Sequence, residues 1–269
     1  MKNKFDLTHK YSLITGSAGL LGEQHAIALL EINSNLILTD IKINKLKKLK
    51  KRLAYQFPKL NILIYKMNVA DSKSISKVFS DLRKKKITLN VLINNAAIDS
   101  KVTSKNKITN SSRFENIALD DWHRHIDVGL TGAMLCSKFF GRNILRAKDK
   151  GVILNIASDL SVIAPNHKIY KKGHFKPIMY SVIKHALIGM TKYLSTYWNV
   201  KGIRCNALSP GPVFNNQSKD FLRNIKKQIP LNRLATKDEY KQAVQFLCSD
   251  ASSYMTGQNI IIDGGRSVW

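Results

Sequence analysis

Short apolar runs alternate along the whole chain with longer stretches of helical period. Runs at 11–15, 35–39, 61–67, 89–94, 151–157, 204–209 and 259–262 are rich in Ile, Leu and Val, as strands covered on both faces are. Residues 20–31, 72–85, 119–146, 177–199 and 236–249 carry apolar positions at helical spacing, and Thr236 is placed to cap the last of these. The stretch 42–52 is dense in lysine, with Leu46, Leu49 and Leu53 on its other side, which predicts a solvated amphipathic helix. Seven strands in alternation with helices predict an α/β fold, a doubly wound, mostly parallel sheet with helices on both faces. No repeat or linker interrupts the pattern, so residues 1–269 are expected to form a single domain.

Composition narrows the classes of function. The chain has 269 residues, 44% of them hydrophobic, and a formal net charge of +26. That charge raises nucleic acid as a partner, but the lysines are spread along the chain, so nucleic-acid binding is not expected as a main function. No apolar run approaches the ~20 residues that span a bilayer, and the first residues lack a signal-peptide core. A cytoplasmic protein without a membrane partner is expected. The three cysteines, Cys136, Cys205 and Cys248, form no C-x-x-C pair and are expected as buried free thiols. No His/Cys/Asp cluster has metal-ligand spacing, so no metal site is expected.

The chemistry concentrates in a few short segments. Tyr180 and Lys184 stand four apart on a predicted helix, hence on one face. An ammonium beside a phenol favours the phenolate, so the tyrosine is expected to fall below its ordinary pKa of about 10 and to exchange protons near neutrality. Gly16, Ser17, Gly19, Leu20 and Leu21 lie in a turn between a strand and a helix, the setting in which glycines admit a pyrophosphate to the helix start. Asp40 ends the second strand, placed to accept the hydroxyls of an adenosine ribose and to repel a 2′-phosphate. This favours NAD over NADP, although Lys42 is near.

Together these segments resemble the short-chain dehydrogenase/reductase family. The likeness rests on Thr15 to Gly22, Asn94-Asn95-Ala96-Ala97, Asn155-Ile156-Ala157-Ser158, Tyr180 to Lys184 and Asn206 to Gly211, in order over essentially the whole chain. It implies a Rossmann-type sheet and hydride transfer between a nicotinamide and a carbinol carbon. Ser158 would orient the reacting oxygen, Tyr180 would pass the proton, and Lys184 would lower the Tyr180 pKa and hold the nicotinamide ribose. Asn68 and Val69 match the place that holds adenine; Asn95, Ala96 and Ala97 line the cofactor ribose; Pro210, Gly211 and Val213 meet the nicotinamide. Two places depart from the family. Leu20 stands where a glycine is usual, and Gly129 where an asparagine completes the catalytic set. In the family that asparagine marks a helix kink, which glycine can keep.

Three segments are expected on the substrate side: insertions near 98–118 and 163–177, and a lid at 212–230. The second holds Lys168, Lys171, Lys172, His174 and Lys176, which would suit an anionic substrate. A nearer likeness, in 155–165, 180–189 and 257–269, is to bacterial oxidoreductases grouped with flagellin modification protein A and nonulosonic-acid pathways. It implies a sugar or sugar nucleotide as substrate. Two alternatives stand beside it, a 3-oxoacyl-carrier-protein ketone reductase and a non-catalytic NAD-binding scaffold. Family members assemble as dimers or tetramers through two long helices. A homodimer or homotetramer is therefore expected, with residues 266–269 packed at an interface.

Overall fold

The computed structural model describes residues 3–99 and 113–268. Seven strands, β1 (Tyr11–Thr15), β2 (Asn35–Asp40), β3 (Ile62–Lys66), β4 (Val91–Asn94), β5 (Gly151–Ile156), β6 (Ile203–Pro210) and β7 (Asn259–Ile262), form one sheet in the order 3-2-1-4-5-6-7. All six pairings are parallel. The central strands β1, β2, β4, β5 and β6 are almost wholly buried, β4 completely, while the edge strands β3 and β7 are mostly half-buried. Helices cover both faces, which explains the unbroken apolar runs in the sequence.

One face is covered by α1 (Leu20–Leu30), α2 (Ile43–Gln56) and α8 (Lys241–Cys248), around a core that includes Ile14, Leu29, Leu38, Leu46, Tyr240 and Val244. The other is covered by α3 (Ser72–Lys84), α5 (Gly132–Ala147) and α6 (Ile178–Trp198), around Leu13, Leu92, Phe140, Ile153 and Cys205. The predicted amphipathic helix at 42–52 is α2, with Leu46, Leu49 and Leu53 buried. All three cysteines are buried free thiols, and burial pushes each up to about 12. No described helix is long and apolar enough to cross a membrane.

The structure departs from the sequence reading in two helices. The expected long helix over 119–146 is divided: α4 (Leu119–Ile126) runs into a wide π-type segment, Asp127–Thr131, before α5 begins. Gly129 lies in that segment, and a Cβ there would meet Ile183 Cγ2 at 2.9 Å. The distortion expected at Gly129 is therefore present, but the space a side chain would need is filled from α6. The final helix starts at Lys241, not at Thr236. The Thr236 N–H donates to the Glu239 carboxylate at 2.7 Å, a local turn that competes with helix.

Strand order reverses between β1 and β4. In such sheets the crevice at the C-terminal strand ends near that reversal is where ligands sit. The segments after β1, β2, β4, β5 and β6 all open there.

Candidate active site

The turn after β1 is shaped by backbone constraint. Gly16 takes φ +62° and its Cβ position lies 2.9 Å from the Ala96 Cα; at Gly22 a Cβ would press on the Gly16 carbonyl and lie 2.7 Å from the Ser17 Cα. Only glycine allows such close approach. Leu20, by contrast, is the first residue of α1, is partly exposed and lines the groove at the turn's mouth, so its side chain does not disturb the turn. The turn is tied to β4: the Asn95 amide donates to the Thr15 and Gly16 carbonyls at 2.9 and 3.0 Å. The Asn95 and Ala96 N–H groups both donate to the Thr15 hydroxyl at 3.0 Å.

This turn lies beside a groove of about 990 Å³ lined by Gly16, Gly19, Leu20, Leu21, Asp40, Asn68, Val69, Asn95, Ala96 and Ala97 among others. Free N–H groups of the first turn of α1 sit at one side. Asp40 accepts from the Ala18 and Lys42 N–H groups at 3.2 and 2.9 Å, leaving lone pairs for a further donor. These features fit a dinucleotide: a glycine turn at a helix start for phosphates and a carboxylate for ribose hydroxyls. Ser17 is the exception among the predicted contacts. Its side chain is fully buried and donates to the Thr39 carbonyl at 3.1 Å, so it secures the turn from behind rather than lining the groove.

A second cavity, about 400 Å³, shares Leu20, Leu21, Asn95 and Ala97 with the first. It brings together Ser158, Tyr180, Lys184, Pro210, Gly211 and Val213 from three segments distant in sequence. Ser158 follows β5, and Tyr180 and Lys184 lie in the first turns of α6. The Lys184 ammonium donates to the Ile156 carbonyl at 2.7 Å and lies 5.4 Å from the Tyr180 ring centroid. Ser158 lines the same cavity as the Tyr180 phenol and is near enough to favour its ionised form.

The electrostatics differ from the sequence expectation. Burial pushes the Tyr180 phenol well above its ordinary value, with Asp99 adding to the rise and Ser158 offsetting part of it. Burial also pushes Lys184 down, to about 8. The expected fall in the Tyr180 pKa is thus reversed. The lysine spends its proton on a main-chain carbonyl, and desolvation outweighs its attraction for the phenolate.

Sequence reasoning missed Asp159 and Arg266. Their buried ion pair closes at 2.6 Å, and the Ser158 hydroxyl donates to the other Asp159 oxygen at 2.9 Å. Arg266 also donates to Gln228 at 3.2 Å. Both residues sit beside quoted motifs, but nothing in a single sequence pairs a residue after β5 with one after β7. Of the cations in the 163–177 insertion, Lys176 alone lines the cavity. Ile169 and Tyr170 of that insertion pack against Phe221, Ile225 and Ile229 of the 212–230 segment, whose helix α7 is Lys219–Lys226. Of the 98–118 segment, Asp99 lines this cavity; residues 100–112 and Trp269 lie outside the described residues. No cluster of three or more metal-binding side chains occurs among the described residues.

A family profile described as Enoyl-(Acyl carrier protein) reductase matches residues 16–267. With that match and this site, the chain belongs to the short-chain dehydrogenase/reductase family, and it is an oxidoreductase acting on the alcohol–ketone pair at a CH–OH carbon. It is 31% identical over 261 residues to a 3-oxoacyl-(acyl-carrier-protein) reductase FabG of Buchnera aphidicola, covering 95% of this chain and 96% of that one. It is 28% identical over 269 residues to an NAD-dependent glycerol dehydrogenase of Listeria innocua, covering 98% and 96%. Among solved structures, a short-chain dehydrogenase from Leptospira borgpetersenii with bound NAD+ superposes with a TM-score of 0.84 at 29% identity, covering 100% of this chain and 97% of that one. A gluconate 5-dehydrogenase from Burkholderia cenocepacia in complex with NADP and tartrate shares the fold, with a TM-score of 0.85 at 24% identity, covering 99% and 98%. The family uses NAD or NADP.

Proposed function

We propose that the protein interconverts a secondary alcohol and a ketone on a small polyhydroxylated substrate, a sugar or polyol, with NAD as the preferred cofactor. The observation that carries this reading is the convergence of Ser158, Tyr180 and Lys184 in a cavity continuous with the glycine-turn groove. A nicotinamide bound there would supply the hydride acceptor or donor. Tyr180 holds the proton that moves to or from the substrate oxygen. Ser158 orients that oxygen, and Lys184 stands beneath the phenol with a spare donor for ribose hydroxyls. The groove residues from Gly16 to Leu21, with Asn68, Val69 and Asn95 to Ala97, would hold the dinucleotide, Ser17 acting through the turn.

Charge in the substrate cavity supports a neutral substrate over the anionic one suggested by the insertion lysines. Lys176 is paired with Asp99 at 2.6 Å and Arg266 with Asp159 at 2.6 Å, so the two flanking cations are already compensated. A basic surface of net +26 therefore does not extend into the site. The nonulosonic-acid likeness and the glycerol dehydrogenase relative both agree with a hydroxyl-rich substrate. The FabG relative instead supports a carrier-bound ketone.

The test is turnover of NAD with a panel of polyols, of neutral sugars with their phosphorylated or carboxylated counterparts, and of a 3-oxoacyl thioester. Preferred oxidation of neutral polyols supports the reading; preference for the anions or the thioester removes it. Inactivity on every member, with NAD bound, favours a scaffold. Asp40 supports NAD by repelling a 2′-phosphate, although Lys42 and Lys45 line the same groove. Binding constants for the two cofactors decide the point. The raised phenol gives the sign of the pH dependence: alcohol oxidation should climb as pH rises, because it needs the deprotonated phenol, while ketone reduction should be strongest near neutrality. A homo-oligomer is also proposed, since α5 and α6 leave Met134, Leu145, Tyr193 and Tyr197 exposed; sedimentation would give its size.

A further inference from the structure

Lys176 occupies a position the established chemistry of the family does not require. Its ammonium lies 3.6 Å from the centroid of the Tyr180 ring, nearer than the Lys184 ammonium at 5.4 Å. Only 13% of its side chain is exposed, and it is held by Asp99, which projects from the segment after β4, at 2.6 Å. The residue is the last of the 163–177 insertion before Pro177, whose carbonyl accepts the Tyr180 N–H at 3.1 Å. The backbone that sets Tyr180 thus also sets Lys176.

A cation over an aromatic face is attracted by the ring quadrupole. Once the ring carries the negative charge of a phenolate, direct attraction between opposite charges adds to this. We propose that Lys176 is a positioning residue for proton transfer: held by Asp99 over the Tyr180 ring, it fixes the ring plane and favours the phenolate, in addition to the usual Tyr/Lys pairing. The proposal rests on Tyr180 as the proton-transfer group. It gives the insertion a task and compensates a polar side chain lost elsewhere, since Gly129 has none and Ile183 fills its space.

The other groups facing Tyr180 do not do the same work. Asp99 and Asp159 disfavour the phenolate, Tyr170 is a neutral phenol, and Ser158 lowers the Tyr180 pKa by too little to offset burial. Arg266 is spent on Asp159. Lys184 is committed to the Ile156 carbonyl, and Lys176 is among the charges that act on it.

The test needs no knowledge of the substrate. The ionisation of Tyr180 is followed by tyrosinate absorbance in NAD+-saturated enzyme, as the difference between each protein and its Tyr180→Phe counterpart. In Lys176→Met and Lys176→Gln the midpoint should move up by about one pH unit, with NAD+ affinity unchanged within about twofold, and Lys176→Arg should restore most of it. In steady state on whichever polyol is turned over, the acid limb of the kcat profile should move by the same amount. An unmoved midpoint in Met and Gln variants that still bind NAD+ overturns the role of Lys176 and leaves Tyr180 in place. A wild-type protein with no Tyr180-dependent ionisation overturns both.

Discussion

The two cavities that meet at Asn95 are built on different principles. The groove beside the glycine turn is largely main chain on its strand side: Gly16, Gly19, Ala96 and Ala97 contribute little beyond backbone, and the carboxylate there, Asp40, ends a strand. The neighbouring cavity is made by long side chains from insertions and loops, held by the Lys176–Asp99 and Arg266–Asp159 pairs and by the contact of Tyr170 with Phe221. The first is shaped by what cannot be added, the second by charges and rings that must be kept in register. A common cofactor with a family-specific substrate calls for that division.

The largest expected effect falls where the cavities join. Tyr180→Phe should lower kcat by about a thousandfold while the dissociation constant of NAD stays within about twofold, measured by stopped-flow and by titration. A mutant with ordinary turnover would refute the role given to the phenol. Next is Arg266→Met, which leaves Asp159 buried without its partner. A loss of about 3 kcal/mol in unfolding free energy should accompany a fall in kcat, because Ser158 loses a fixed acceptor; denaturant melts and kinetics on one preparation check both. In the first cavity, Gly22→Ala should cost about 2 kcal/mol and weaken NAD without changing the chemical step. An effect of equal size on kcat alone would erase the contrast between the two halves. The smallest effect is Asp40→Ala, for which the NAD-to-NADP preference should shrink by about tenfold, read from the two binding constants.

These differences also explain what a single sequence can reveal. The strand–turn–helix unit at Gly16 is local: apolar run, glycines and helical period are contiguous, so the groove is legible. What the sequence does not show within it is the direction of the Ser17 hydroxyl, which turns inward to the Thr39 carbonyl. In the second cavity the motif residues Ser158, Tyr180 and Lys184, read from the sequence, line one cavity, but the groups that brace them are not legible, since Arg266 and Asp159 are joined only by the folded sheet. The direction of the Tyr180 shift was misjudged for a related reason. Proximity of a lysine can be read from spacing, whereas burial and the Ile156 carbonyl that engages the lysine cannot. The break in the helix after Ile126 was anticipated at Gly129, though its form, a wide turn against Ile183, needed coordinates.

That wide turn has a consequence for how the cofactor groove is populated. A π-type segment holds one residue more than the regular helix it interrupts, and each residue turns an α-helix by about 100°. Asp120, His123, Arg124 and Asp127, all on the groove, lie on the N-terminal side of the extra residue, and the buried stripe of α5 lies on the other. The segment therefore acts as an angular offset between two faces of one rod. Excising a single residue from it would rewind the rod and swing all four polar groups away from the groove together, with the strands and their order left as they are.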